Sequence, residues 1–148
     1  MTIIEKTGDL FTSDAKMLGH GTNTLGVMGA GIAVQFKNRF PIMHYHYENL
    51  CSMVPSERLV GTAAVYHDSN LSIANIFSQD MPGSNARWSW LKRGVSNAMN
   101  TAYQNGISKL AIPRIGCGIG GLDWDTTKPI LIDSFNEHPV DLEIWSLD

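Results

Sequence analysis

The 148-residue sequence has little cysteine, no dominant charge of either sign and no long apolar run, and each shortage removes a class of function. Only Cys51 and Cys117 are present, far apart and without a C-x-x-C pair, so neither a structural zinc site nor a disulfide framework is expected. Both read as buried thiols in a reducing compartment. With 11 basic and 14 acidic residues the formal charge is −3, which argues against a broad footprint for nucleic acid or an anionic membrane. One anion held by backbone N–H groups in a local pocket remains compatible with that balance. No apolar run approaches the ~20 residues that span a bilayer. The opening Met-Thr-Ile-Ile-Glu-Lys lacks the apolar stretch of a signal peptide. A soluble, cytoplasmic protein is expected. No Gly-Lys-Ser/Thr follows a glycine-rich turn, which excludes a P-loop. No His/Asp/Glu cluster has metal spacing, so chemistry without metal or cofactor is the simpler expectation.

What is present points to one α/β domain over 1–148. The hydrophobic fraction is 43% and the charged fraction 17%, an ordinary globular balance. Short apolar runs alternate with helical patterns. Strands are expected at Thr2 to Glu5, Lys16 to Gly19, Leu59 to His67, Leu71 to Phe77, Lys109 to Ile112 and Leu142 to Leu147. Helices are expected from about Ala30 to Arg39 and from Pro41, suited to a first turn, through Cys51. The clearest helix carries Trp88, Leu91, Val95, Ala98, Met99 and Ala102 at three- and four-residue spacing, with Gly106 as its stop. One of Trp88 and Trp90 is expected in the core. A last helix through about Phe135 starts at Asp125 or Thr126 as its cap. His44 and His46 do not share a helical face and read as surface residues.

Two glycine-rich segments each follow an apolar run and open a helix. The first is His20-Gly21-Thr22-Asn23-Thr24-Leu25-Gly26-Val27-Met28-Gly29-Ala30-Gly31-Ile32-Ala33. Its glycines permit close backbone approach to a ligand, and the free N–H groups of the helix start favour a phosphate or diphosphate. Taken alone, it is equally a tight strand–helix turn. It is not G-x-G-x-x-G, and no acidic partner stands ~20 residues on, because Met43 to Tyr47 supplies none. The second segment is Pro113-Arg114-Ile115-Gly116-Cys117-Gly118-Ile119-Gly120-Gly121-Leu122-Asp123-Trp124. Two such loops at one sheet edge would clamp opposite sides of a single diphosphate.

In order, Gly8-Asp9-Leu10, Asn23 with Gly26 to Ala33, Asn75-Ile76-Phe77 and Pro113 to Trp124 resemble the macro domain family, over nearly the whole chain. The resemblance implies a three-layer α/β/α sandwich around a mixed sheet of about six strands, with ADP-ribose or a derivative as ligand. Asp9 resembles the acid that accepts from the adenine amine, and Leu10 a neighbouring backbone contact. Gly29, Ala30, Gly31 and Ile32 resemble the diphosphate loop. Gly116, Cys117, Gly118, Ile119 and Gly120 resemble the opposing loop. Asn23 resembles the contact to the distal ribose, with Ser78 and Gln79 near the same end.

His20, three residues before Asn23, resembles the branch that hydrolyses ADP-ribose 1''-phosphate. A neighbouring branch removes ADP-ribose from protein or nucleic acid; part of it uses a lysine and a loop acid, where this chain has Gln79 and Gly120. The resemblance thus implies a hydrolase acting at the distal ribose, with His20 as general acid or base and Asn23 as positioning group. Mono-ADP-ribosyl hydrolysis on protein or nucleic acid, and a binding module without chemistry, stay open beside it. Asp123 and Asp125 are expected as helix caps rather than as reacting carboxylates. Asp80 stays open.

Overall fold

In a computed structural model, residues 3–147 are described. They form six strands: β1 (Ile3–Thr7), β2 (Met17–Thr22), β3 (Ala63–Asp68), β4 (Leu71–Phe77), β5 (Lys109–Pro113) and β6 (Asp141–Ser146). The helices are α1 (Ile32–Arg39), α2 (Pro41–Met53), α3 (Ser56–Leu59), α4 (Trp88–Gln104) and α5 (Trp124–Phe135), with a 3-10 turn at Leu10–Thr12. The strands make one mixed sheet in the order β1-β6-β5-β2-β4-β3. All neighbours are parallel except the β3–β4 hairpin. This is the expected α/β architecture.

Parallel strands covered on both faces must be apolar on both, and β4 shows how the alternation works. Ala74 and Ile76 face α4 and α5 together with Met17, Leu110 and Ile112. Ile73 and Phe77 face α1 and α2 with Leu18, Phe36 and Tyr47. The predicted face of α4 is confirmed at Leu91, Val95, Ala98, Met99 and Ala102, all fully buried. Gly94 brings that helix close to the sheet, because a β-carbon there would lie 2.6 Å from Ile76 Cγ2. Glycine within a helix costs about 1 kcal/mol. Burial of Leu91 and Val95 contributes about 1.5–3 kcal/mol each, so packing outweighs propensity.

The structure moves several boundaries. α1 starts at Ile32 rather than Ala30, because Gly31 holds a conformation that closes the preceding turn. β3 starts at Ala63 rather than Leu59, since Ser56–Leu59 is helical and Gly61 turns the chain with φ +78°. α5 is capped by Asp123, one of the two aspartates expected to cap and two residues before the expected start at Asp125: its side chain accepts from Thr126 N at 3.1 Å. β1 runs Ile3–Thr7; Thr2 lies outside the described residues. Neither tryptophan enters the core. Trp88 sits at the helix start, 40% exposed, and its indole N–H donates to Thr127 Oγ1 at 3.0 Å. Trp90 is half-buried under the Arg87 guanidinium. His46 is exposed as expected, whereas His44 is half-buried beside Tyr47. Cys51 and Cys117 are free and half-buried. Among the described residues no helix is long and apolar enough to cross a membrane.

Candidate ligand cleft

β2 and β5 are adjacent and parallel, so their glycine-rich loops leave the same sheet edge. The loop after β4, residues 78–87, leaves beside them. Between these three loops lies a cleft of about 510 Å³ outside the carboxyl ends of the strands. Asn23 and Gly29 to Ala33 form one wall; Gly116, Gly118, Ile119 and Gly120 form the facing one; Gln79, Pro82 and Gly83 close an end.

The walls are shaped by residues that only glycine satisfies. Gly31, at φ +60° and ψ −147°, ends the first loop and starts α1 with no side-chain cap, leaving first-turn N–H groups for a ligand. A β-carbon on it would lie 3.3 Å from Ile119 Cδ1, so the two loops nearly touch. In the second loop, a β-carbon on Gly120 would lie 2.8 Å from Gly116 Cα and 3.0 Å from Ala86 Cβ. That loop is held by Leu122 N donating to Gly116 O at 2.7 Å and Ala86 N donating to Gly120 O at 3.1 Å. Among the described residues, the N–H groups of Gly118, Ile119 and Gly120 meet no backbone acceptor, so they remain available to an anion.

Asn23 lines the cleft, but most of its amide folds the first loop. Oδ1 accepts from Leu25 N at 3.0 Å and from Tyr47 Oη at 3.1 Å, and Nδ2 donates to Val27 O at 2.8 Å. One Nδ2 hydrogen remains for a ligand. The tether, Tyr47, was invisible in the sequence because it arrives from α2; burial raises its hydroxyl pKa, so it stays protonated. Gln79 likewise braces its loop through Nε2, donating to Met81 O at 2.7 Å and Gly83 O at 3.0 Å. Thr24 joins the first and third loops through Asp80 O.

His20 is not brought into the cleft, and this corrects the expectation of a general acid or base. Alternation along β2 turns it into the α1 layer, where it is fully buried and stacked on Phe36 with ring centroids 3.9 Å apart. Its Nε2 meets Asn75 Oδ1 at 2.8 Å, and Nδ1 has no partner. Burial pushes its pKa down to about 4, so the ring is neutral near pH 7. Ser78 is also buried, behind Gly21 under the floor, where a Gly21 β-carbon would meet its Oγ at 2.7 Å. Cys117 points away from the ligand space, toward Ile115 O and Thr127 Oγ1, and burial raises its pKa. Leu10 is buried in the α1 layer. Asp9 stands outside the cleft lining; it follows β1 at the same sheet edge and caps the 3-10 turn by accepting from Phe11 N at 2.9 Å.

The sequence reading missed Val27, Met28, Pro82, Gly83 and Arg114 as lining residues. Arg114 was findable, two positions before Gly116. Among the described residues it is the one titratable side chain in the cleft lining, with its guanidinium 4.8 Å above the Trp124 ring. No lysine, histidine, cysteine or carboxylate among the described residues lines the space.

A sequence model of the Macro domain family matches residues 20–131. The chain belongs to the macro domain family. This macro domain is 31% identical to the DNA ADP-ribosyl glycohydrolase of Mycobacterium tuberculosis over 94% of its own length and 40% of that protein's. It therefore spans about two fifths of the DNA ADP-ribosyl glycohydrolases that it matches. It is 30% identical to the ADP-ribose 1''-phosphate phosphatase of Lodderomyces elongisporus, covering 95% of this chain and all of that one. Among solved structures, the macrodomain of Mycobacterium tuberculosis DarG superposes with TM-score 0.84 at 30% identity, covering 97% of both chains. Thermosipho africanus DarTG, solved in complex with ADP-ribose, shares the fold with TM-score 0.85 at 23% identity, over 98% of this chain and 41% of that one.

Proposed function

We propose that this macro domain binds an ADP-ribose derivative and hydrolyses the substituent at C1'' of its distal ribose. The observation that carries the reading is the pair of amide-rich turns facing each other, Gly29 to Ile32 against Gly118 to Gly120, nearly in contact at Gly31 and Ile119. Backbone N–H groups from both sides suit a diphosphate, with the adenosine toward Asp9 and the distal ribose toward Asn23 and Gln79. The relatives named for hydrolysis of ADP-ribose derivatives support the same reading.

The cleft itself sets the chemistry. With no lysine in its lining, a covalent amine intermediate has no nucleophile. With His20 buried and neutral, water attacks C1'' as the C1''–O bond to the substituent breaks; the water's proton passes to a phosphate oxygen of the substrate, which the two loops position, and the substituent departs with the bonding electron pair on its oxygen. Backbone donors then stabilise the charge that develops.

The same lack of a titratable acid or base favours a second reading, a binding module without turnover. The deciding experiment incubates the protein with ADP-ribose 1''-phosphate, ADP-ribosylated protein and ADP-ribosylated DNA and identifies the products. Release of ADP-ribose establishes the hydrolase. Calorimetric binding of ADP-ribose with no product selects the binding module, and the absence of both ends the proposal.

A further inference from the structure

Most of the protein's cations are already engaged. Lys109 and Lys128 meet carboxylates, and Lys6, Arg39, Arg87 and Arg114 lie over aromatic rings. Lys92 and Arg93, on the outer side of α4, differ. Among the described residues neither makes an ion pair or a side-chain hydrogen bond, and neither do the side chains of Ser96 and Asn97 one turn on. Lys92 with Ser96 and Arg93 with Asn97 are i, i+4 pairs in adjacent columns of the helix, so the four side chains are neighbours.

These four residues line a second cavity, of about 430 Å³, shared with Gly61 and Thr62 before β3 and with Ser134 and Phe135 at the end of α5. It has no lining residue in common with the cleft between the glycine-rich loops. No aspartate or glutamate among the described residues lines it, and Asp133, the neighbour of Ser134, ion-pairs with neither cation. Thr62 and Ser134 spend their hydroxyl hydrogens on Leu59 O at 2.7 Å and Ile130 O at 2.6 Å, so the free donors are those of α4. Phe135 is buried and supplies an apolar wall, beside which charges are screened less than in open water.

Arg93 is also seated. A β-carbon on Gly61 would lie 3.0 Å from its guanidinium carbon, 3.1 Å from Nη1 and 3.3 Å from Nε, so the planar group lies face-on against a residue with no side chain. Gly61 has φ +78°, and its N–H donates to Phe77 O at 2.9 Å, which fixes the seat to the end of β4. A cation held in place in this way loses less freedom when it binds an anion.

We infer that this cavity binds a phosphate group, free or carried as a monoester on a small molecule, as an anion site separate from the cleft. The inference does not rest on the proposed reaction. The guanidinium fork grips two phosphate oxygens, and the Lys92 and Ser96 column serves a third. A carboxylate, with two oxygens, would leave that second column unused. The cavity falls within the roughly 300–1,000 Å³ of small-molecule sites, which leaves room for the remainder of a monoester.

The test follows backbone amides by NMR while isotope-labelled protein is titrated with inorganic phosphate, glycerol phosphate or acetate, at constant ionic strength set by sodium chloride. Amides of residues 92–97 should shift saturably at millimolar phosphate, with acetate about tenfold weaker. Lys92→Ala should weaken phosphate binding at these amides about threefold and Arg93→Gln about tenfold. Arg93→Lys keeps the charge but loses the fork, and should cost about threefold. Lys92 is exposed, so Lys92→Ala should melt with the wild type and separates lost binding from lost Arg93–Gly61 packing. Glycerol phosphate binding as tightly as phosphate assigns a monoester; tenfold weaker binding assigns the free ion. No saturable shift on α4, equal affinity for acetate, or wild-type affinity in Lys92→Ala would each overturn the inference. Shifts at Gly29 to Ile32 or Gly118 to Gly120 report the cleft and are read separately, so failure of the cleft to bind leaves this test intact.

Discussion

The Tyr47 hydroxyl lies 2.8 Å from the carbonyl oxygen of Asn23 and 3.1 Å from its Oδ1, pinning the first glycine-rich loop to α2. Tyr47→Phe leaves a buried carbonyl without that donor, at a cost of about 1–3 kcal/mol. Chemical denaturation should show a loss of that order. ADP-ribose affinity should fall roughly 5- to 30-fold if the tether preorganises the loop. Unchanged affinity would show that ligand alone orders it.

The glycines of the second loop separate sharply by environment. Gly120→Ala drives a β-carbon into Gly116 and Ala86, whereas a β-carbon on Gly118 meets nothing within 4 Å. Overpacking of this kind costs about 1–3 kcal/mol, so Gly120→Ala should lower the unfolding free energy by that amount. Gly118→Ala should stay within about 0.5–1 kcal/mol of wild type. Equal melting temperatures for the two variants would contradict the packing seen here.

His20 makes stability depend on pH. Its pKa lies at about 4 in the fold against an ordinary value near 6.5, so the unfolded chain takes up the proton first. The neutral ring is favourable to folding above pH 6.5; as pH falls toward 4, stability is lost at up to about 1.4 kcal/mol per unit. His20→Gln should flatten that slope in denaturant titrations between pH 6.5 and 4. The same variant should keep ADP-ribose affinity and turnover at pH 7 within about threefold, since the ring does not reach the cleft. A thousandfold drop in turnover with intact binding would restore a catalytic histidine.

Asp123 accepts from Thr126 N at 3.1 Å and from Thr126 Oγ1 at 2.9 Å. Asp123→Ala should therefore cost about 1 kcal/mol of stability as a lost cap. Rates of hydrolysis at saturating substrate should be unchanged; a large loss of kcat would assign the carboxylate to the reaction instead.

Local patterns and tertiary placement contributed differently here. The apolar spacing of Leu91 to Ala102 and the run Leu71 to Phe77 made α4 and β4 legible, because a buried face imposes its period on the chain. The two glycine-rich loops were legible as cleft walls, since a backbone wall needs no distinctive side chain. His20 misled the reading: a histidine at a strand end beside such a loop looks the same whether alternation turns it toward ligand or into the layer beneath α1.

By itself the amino-acid order determined the elements, the α/β alternation and the backbone walls, all of which depend on neighbours within about a turn or a strand. Only the three-dimensional arrangement decided that Tyr47 holds Asn23, that Gln79 braces its own loop and that, among the described residues, no carboxylate, histidine, cysteine or lysine lines the cleft. It also decided that Arg93 rests on Gly61 beside the end of β4. Those outcomes depend on which strand lies next to which and on the direction each side chain takes, and hydrogen bonds between distant segments leave no periodic trace in the sequence.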